Sequence, residues 1–313
     1  MKRNLTPLTT AAEISKLCEK LQSAAHIALD TEFVREYTFF PHVGLIQVAT
    51  DTEAWLIDTV ECSKKSLVPL LKLLQTSEIL KIVHAAQADQ ECMFAAYGIT
   101  MKPTFDTAVG AEFLGLGANM GLKALLQQFS HIEISKEARR QNWLKRPLSE
   151  KMCEYALGDV EYLVALGKNM LEQLERKSLL DKALQTSAKW ENSKLYMSDP
   201  ESYAARLAKS RHFKSRQYAT LLRLVAWREQ KVRELDVPRR TFVDDRVLLE
   251  IALQMPPSPG MLMNIEGLAA AVRAEFGELI LQFVNEANKL PKEELPVPPK
   301  RYAKKSEAHG PLP

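Results

Sequence analysis

The stretch His26-Ile27-Ala28-Leu29-Asp30-Thr31-Glu32-Phe33 joins a short apolar run to two acidic residues. The apolar run predicts a buried β-strand, so Asp30 and Glu32, two positions apart, point to one face of it. Two carboxylates at the edge of a core repel each other and lose solvation, and a divalent cation is their usual partner. The alternative is a strand that ends in solvated acidic residues. The other motifs of the chain distinguish this alternative from a cation site.

The composition is that of a folded protein long enough for two domains. The chain has 313 residues, of which 46% are hydrophobic and 26% charged, and this balance excludes an intrinsically disordered chain. No apolar stretch approaches the length of a membrane span, and no signal-peptide core follows Met1. The four cysteines are far apart and lack CxxC spacing, so they predict reduced packing residues in a cytoplasmic protein.

Strand-like and helix-like segments alternate in the first half of the chain, and helices dominate afterwards. The predicted strands are 26–30, 44–50, 54–58 and 79–84, with the middle two forming a hairpin. The main predicted helices are 66–74, 87–97, 149–174 and the part of 5–22 that follows a cap at Thr9 or Thr10. This order predicts an α/β fold in which helices cover a mixed sheet.

A break near Ser198-Asp199-Pro200 divides the chain, and only helical patterns follow it. We therefore predict an α/β domain over residues 1–195 and a small all-helical domain over residues 200–290. Residues 291–313 are rich in Pro and Lys and predict a flexible tail.

Two further acidic positions have ordinary structural explanations when each is taken alone. Asp89 opens a helix directly after a strand, where a carboxylate interacts favourably with the helix dipole. Tyr155 and Asp159 are four residues apart on the helix 149–174, so they share one face, where the tyrosine hydroxyl can bond the carboxylate. In combination with the first stretch, the four carboxylates can hold two divalent cations, as in enzymes that displace a phosphoryl group in line. Oxygen ligands suit Mg²⁺ or Mn²⁺ rather than zinc.

The order Asp30/Glu32, Asp89, then Asp159 with Tyr155 resembles the DEDD 3′–5′ exonucleases that carry Tyr in the third motif. The segments that resemble the ribonuclease D family in particular are Leu29–Arg35, Gly44–Gln47, Phe105–Thr107, Trp143–Leu148 and Cys153–Ala156. Segments of the second half are similar to the helicase-and-ribonuclease-D C-terminal (HRDC) domain: Leu221–Arg228, Val237–Pro238, Val243–Asp245 and Ile265–Leu268. The resemblance covers roughly residues 5–290 and implies an RNase H-like sheet in the first domain.

The resemblance also implies a role for each residue of the acidic set. Asp30 bridges both cations, Glu32 and Asp159 complete the site that activates water, and Asp89 serves the second cation. Tyr155 orients the attacking water, because a hydroxyl with a pKa near 10 is a poor base at neutral pH.

Three residues near the acidic set are candidate substrate contacts: Phe33, Gln47 and His84. Phe33 follows the first motif, where an aromatic ring can stack on a terminal base or simply pack. His84 ends the strand that precedes Asp89, and a core histidine is the ordinary interpretation of that position.

The helical domain is basic. Between Arg206 and Arg233 the chain carries nine Lys or Arg residues and one acidic residue, Glu229. A solvated helix face usually mixes both signs, so this run predicts a surface that contacts phosphates without reading sequence. Arg211, Lys214 and Arg216 are the candidate substrate contacts here.

We therefore predict a monomeric 3′–5′ exoribonuclease that uses two Mg²⁺ or Mn²⁺ ions and releases nucleoside 5′-monophosphates. The resemblance implies RNA substrates, with structured 3′ ends such as tRNA precursors, and no membrane partner. A DNA-directed exonuclease and an RNA-binding protein with weak hydrolysis are the alternatives. Members of the family commonly carry two tandem helical domains, whereas this sequence predicts one, which leaves the choice of substrate open.

Overall fold

The computed structural model describes residues 1–76, 78–130, 141–197 and 199–301. Within them the chain forms two compact units. The first comprises residues 1–36 and 40–197, and the second comprises residues 37–39 and the described residues from 199 onward. Of the predicted tail 291–313, residues 302–313 lie outside the described part, and Lys292–Glu294 form one turn of 3₁₀ helix.

The first unit contains a six-stranded sheet in the order β1-β4-β3-β2-β5-β6. Its strands are β1 (Lys2–Leu8), β2 (His26–Val34), β3 (His42–Ala49), β4 (Glu53–Asp58), β5 (Leu80–Val83) and β6 (Thr104–Asp106). The pairs β2–β3 and β3–β4 are antiparallel and the other three are parallel. The predicted mixed sheet covered by helices is therefore confirmed.

Eight α-helices belong to the first unit in the described residues. They are α1 (Ala11–Gln22), α2 (Lys64–Leu73), α3 (Gln87–Tyr97), α4 (Thr107–Phe113), α5 (Leu122–Ser130), α6 (Glu150–Val160), α7 (Leu163–Arg176) and α8 (Leu180–Ser187). Thr10 caps α1 in a reciprocal capping box with Glu13. The single helix predicted over 149–174 is wrong, because a turn at Glu161 and Tyr162, whose dihedral angles stay in the right-handed helical region, separates α6 from α7.

Strand β2 separates two apolar cores. Ile27 and Leu29 face a core with side chains of α1, α2 and α3, whereas Ala28 faces a core with side chains of α4 to α8. Asp30 and Glu32 share the face of Ala28, because side chains alternate along a strand. The acidic pair thus lies on the face that α6 covers.

The segment before α6 is held on the sheet by a buried ion pair. The Arg146 guanidinium donates to both carboxylate oxygens of Asp58, at 2.6 and 2.7 Å, and also to the carbonyls of Gly44 and Trp143. Gly44 permits this approach, since a Cβ built there would lie 2.2 Å from the Trp143 carbonyl oxygen. The Trp143 ring in turn packs beside the Tyr155 ring, with centroids 6.1 Å apart.

All the regular secondary structure among the described residues 199–301 of the second unit is helical. Its helices are α9 (Pro200–Ala208), α10 (Ser215–Glu234), α11 (Arg239–Phe242), α12 (Asp245–Gln254), α13 (Pro259–Leu262) and α14 (Ala270–Lys289). Their apolar side chains form one core around Leu221, Leu224 and Leu248. Arg228 is fully buried in this unit and donates to the Val243 carbonyl and the Asp245 carboxylate.

Gly44→Ala should destabilise the first unit by roughly 2–4 kcal/mol, because the new methyl group collides with main chain that cannot rotate away. Urea unfolding of the variant measures the loss.

Gly158→Ala is the matched control. Its Cβ would meet open space on α6, so it should stabilise the protein by up to about 1 kcal/mol. Equal stabilities for the two variants would contradict the close approach at Gly44.

Candidate active site

Three carboxylates converge where β2 meets α6. Asp30 and Glu32 lie on the same face of β2, and Asp159 lies in the last turn of α6. Each offers one oxygen, and these three oxygens lie within 4.8 Å of one another. The structure thus brings together residues from the first and third predicted motifs, which are separated by more than 120 positions in the sequence.

One side of helix α6 is apolar and packs on the sheet, and this packing places Tyr155 and Asp159, on the other side, at the cluster. Ser149 caps the helix by accepting from the Met152 N–H. The buried side chains Cys153, Ala156, Leu157 and Val160 seat it on the sheet. Tyr155 and Asp159 are half-buried, and the Tyr155 hydroxyl is hydrogen-bonded to the Asp159 carboxylate.

Asp89 approaches β2 from the first turn of α3 and is buried. Its Oδ1 atom accepts hydrogen bonds from the main-chain N–H of Thr31, at 3.1 Å, and from the Thr31 hydroxyl. Asp89 is close enough to Asp30 that its pKa is raised well above the ordinary value, first by burial and then by the charge of Asp30. The fourth predicted carboxylate therefore lies beside the cluster, although it is not one of the three that share the 4.8 Å group.

Burial and mutual repulsion leave the cluster poorly suited to carry its full negative charge alone. Burial, followed by the charge of Asp159, raises the pKa of Asp30 to about 8. Burial and the neighbouring carboxylates also raise the pKa of Tyr155, so its hydroxyl remains protonated at neutral pH. A bound divalent cation would remove this repulsion, and an all-oxygen donor set fits Mg²⁺ or Mn²⁺ chemistry.

A cavity of about 1130 Å³ opens beside the cluster, within the first unit. The residues that line it include Asp30, Tyr155 and Asp159 of the cluster and also His84, Lys189 and Trp190. The cavity is large enough for one or two nucleotides, since ligand sites for small molecules span roughly 300–1,000 Å³. Lys189 and Trp190 were not predicted as site residues, because they follow α8 and no local motif marks them.

The structure places the three predicted substrate residues near the cluster in different environments. His84 lines the cavity. Gln47 is fully buried and pairs with Asp30 across β2 and β3, so its side chain is not available for a direct substrate contact. Neither polar atom of its amide has a hydrogen-bond partner in the described residues. Phe33 packs against the core that α1, α2 and α3 cover.

The predicted basic contacts of the second unit also differ from one another. Arg211 and Lys214 are exposed, as a phosphate-contacting surface requires. The Arg216 guanidinium instead donates to the carbonyls of Ala287, Asn288 and Leu290, where it satisfies the carboxyl end of α14. These three hydrogen bonds give Arg216 a structural role that the charge pattern did not predict.

Comparisons with known proteins agree with this geometry. A family model described as 3′–5′ exonuclease matches residues 5–175, and a model of the HRDC domain matches residues 217–284. Ribonuclease D of Escherichia coli K12 is 32% identical over 94% of this chain and 78% of its own. Ribonuclease D of Desulfotalea psychrophila is 34% identical over 97% of this chain and 81% of its own.

Solved structures show the same relationship. The crystal structure of Escherichia coli RNase D matches with a TM-score of 0.88 and 32% identity, over 94% of this chain and 78% of that one. The catalytic core of RRP6 from Trypanosoma brucei matches with a TM-score of 0.66 and 20% identity, over 90% and 79% of the two chains. The second match supports the fold alone.

The fold and the acidic cluster define a 3′–5′ exonuclease followed by an HRDC domain. The chain belongs to the ribonuclease D family, and it is a 3′–5′ exoribonuclease that depends on divalent metal. Among the described residues, no helix is long and apolar enough to cross a membrane.

Asp30→Asn should stabilise the metal-free protein even though it removes a predicted metal ligand. At pH 8 the free energy of unfolding should rise by on the order of 1–3 kcal/mol, because a neutral amide does not repel Asp159. The gain should shrink as the pH falls from 8 toward 4, where protonation of Asp30 in the folded wild-type protein relieves the same repulsion.

Urea unfolding in EDTA at pH 5 and pH 8 measures this effect. Asp181→Asn, which changes an exposed carboxylate in the first turn of α8, is the control and should show no gain in stability at either pH, with at most a loss of about 1 kcal/mol from the helix dipole. A wild-type protein that is more stable than Asp30→Asn at pH 8 would contradict the proximity of the carboxylates.

Proposed function

We propose that this protein trims the 3′ ends of structured RNA with Mg²⁺ or Mn²⁺ and releases nucleoside 5′-monophosphates, tRNA precursors being among its substrates. The observation that carries the proposal is the convergence of Asp30, Glu32 and Asp159 at an open cavity with Tyr155. The related RNase D of Escherichia coli, described as an exoribonuclease involved in structured RNA processing, supports the substrate class.

Each residue of the cluster has a distinct task in this proposal. Asp30, Glu32 and Asp159 would hold the cations, with Asp30 shared between two of them, and Asp89 would serve the second. Bound there, the cations would supply polarisation of the attacking water and stabilisation of the leaving 3′ oxygen. Tyr155 orients the water through its protonated hydroxyl and does not act as a base, because the pKa of its phenol is raised.

The neighbouring residues keep this arrangement in place. Thr31 fixes Asp89 through two hydrogen bonds, and α6 fixes Tyr155 relative to Asp159. The Asp58–Arg146 pair holds Trp143 beside the Tyr155 ring. That the protein acts as a monomer and that it is cytoplasmic both remain predictions.

Asp30→Ala should lower the rate of 3′-end trimming by roughly 10³-fold or more, since it removes a carboxylate that would hold the cations. The measurement is a time course on 5′-labelled RNA with Mg²⁺, Mn²⁺ or EDTA, with nucleoside monophosphates identified by chromatography.

Asp181→Ala is the control for that time course and should retain the wild-type rate. Wild-type activity that persists in EDTA, or in the Asp30→Ala variant, would contradict the metal-dependent site. Equal rates on RNA and on DNA of the same sequence would support a DNA-directed exonuclease instead.

The exposed basic residues of the helical unit should act on binding rather than on chemistry. Arg211→Glu with Lys214→Glu should raise KM by roughly 3- to 30-fold and leave kcat within about 2-fold, because two phosphate contacts are lost. The dependence of KM on salt concentration should weaken as well.

A matched control changes the charge equally on the first unit. Lys65→Glu with Lys72→Glu alters two exposed lysines of α2 and should leave both KM and its salt dependence near the wild-type values. An equal increase in KM for both double variants would show that net charge, and not this surface, governs RNA binding.

A further inference from the structure

His84 follows β5 directly and lines the cavity that contains Asp30, Tyr155 and Asp159. Its Nδ1 atom lies 2.9 Å from the Thr107 hydroxyl oxygen. The same hydroxyl lies 3.1 Å from the Val83 carbonyl oxygen, to which it donates its single proton. Both contacts are satisfied together when His84 donates from Nδ1–H to the Thr107 oxygen.

This hydrogen-bond chain sets the tautomer of the ring. With the proton on Nδ1, the Nε2 atom carries a lone pair and can only accept. Burial lowers the pKa of His84 and outweighs the opposing charge of Asp106, so the ring is neutral near pH 7. Because Thr107 engages Nδ1 and His84 lines the cavity, Nε2 is the ring nitrogen left to accept a hydrogen bond from a bound nucleotide.

The loop around His84 is built to hold the ring there. The Asp106 carboxylate accepts from the main-chain N–H groups of Ala85, Ala86 and Ala108, at 2.9 Å each. Ala85 has a φ of 57°, in the left-handed region that alanine rarely adopts. These bonds offset the cost of that backbone and fix the chain on either side of the ring.

A neutral hydrogen-bond acceptor such as Nε2 can bind only those groups of a nucleic acid that donate a hydrogen bond. Phosphate oxygens carry no proton to donate, so they are not partners for Nε2. Base N–H groups differ from one base to the next, whereas an enzyme that trims successive nucleotides must accept all of them. The 2′-hydroxyl is the donor that every RNA nucleotide carries and DNA lacks.

We infer that Nε2 of His84 accepts a hydrogen bond from the ribose 2′-hydroxyl of a nucleotide in the cavity, and that this contact favours RNA over DNA. The inference rests on the proposed function, because it assigns a contact within that same site. It gives His84 a role in substrate selection, through binding or through the rate of cleavage, and no role in holding the cations or in transferring a proton.

Two variants separate this role from ordinary packing. His84→Asn keeps an amide N–H near the Nδ1 position for Thr107 but has no acceptor at the Nε2 position. His84→Gln can place its amide oxygen near the Nε2 position. His26→Asn, at the half-buried start of β2, is the histidine control.

The experiment compares an RNA oligonucleotide with matched oligonucleotides that carry one 2′-deoxy nucleotide at the last or the next-to-last position. Single-turnover cleavage with Mn²⁺ and equilibrium binding by fluorescence anisotropy in EDTA are measured for each protein. The wild-type protein and His26→Asn should prefer RNA over one of the two deoxy substrates by roughly 5- to 100-fold, taken as the product of the preference in binding affinity and the preference in cleavage rate.

His84→Asn should lose that preference because it cleaves RNA more slowly or binds RNA more weakly. Its cleavage rate and affinity for the deoxy substrate should stay within about 2-fold of the wild-type values. His84→Gln should recover part of the preference. An undiminished preference in His84→Asn, or an equal loss on RNA and deoxy substrates, would overturn the inference. If the wild-type protein cleaves no substrate in the presence of metal, the proposed function is overturned instead. The preference for RNA over the deoxy oligonucleotides in binding would still test the contact of His84.

Discussion

The carboxylates at the junction of β2 and α6 repel one another, and this repulsion explains the packing around the site. Asp30, Glu32 and Asp159 hold their oxygens within 4.8 Å of one another, and their partial burial weakens the screening of these charges by water. Such a cluster destabilises the folded protein unless a cation binds to it. The apolar packing of α6 must therefore supply the free energy that keeps the acids together.

That packing explains several features remote from the cluster. Leu157 and Val160 seat α6 on the sheet, and the buried Asp58–Arg146 pair fixes the segment that leads into it. Breaking that pair by removing one partner would leave a buried charge unmatched, which typically costs 3–5 kcal/mol. The fully buried amide of Gln47, opposite Asp30, adds a polar group to the same face without a hydrogen-bond partner in the described residues. The packing around the site thus fixes the positions of the site's side chains, and it does so at some cost in the stability of the folded protein.

The sequence alone predicts most of this arrangement where the signal is local. The alternation in β2 predicts that Asp30 and Glu32 share one face of the strand. The spacing of Tyr155 and Asp159 predicts that these two residues share one face of α6. The edge strand β1 was not predicted, because Lys2–Leu8 has little apolar alternation and becomes a strand through parallel pairing with β4. The short β6 likewise depends on its pairing with β5.

Side-chain roles that depend on distant partners were the hardest to predict. Arg216 looked like one member of a basic surface, yet its partners are carbonyls more than 70 positions away. His84 depends on Thr107, which is 23 positions further along the chain. Charge and spacing indicate which residues are available for chemistry, but the hydrogen-bond partners decide what each one does.

Titration of the metal-free protein with Mn²⁺, followed by electron paramagnetic resonance of the free ion, measures directly whether these carboxylates form a cation site. We expect saturable binding in the wild-type protein and in Asp181→Asn, with affinity reduced at least about 10-fold in Asp30→Asn. Equal Mn²⁺ affinity in Asp30→Asn and the wild-type protein, or no saturable binding in either, would contradict it.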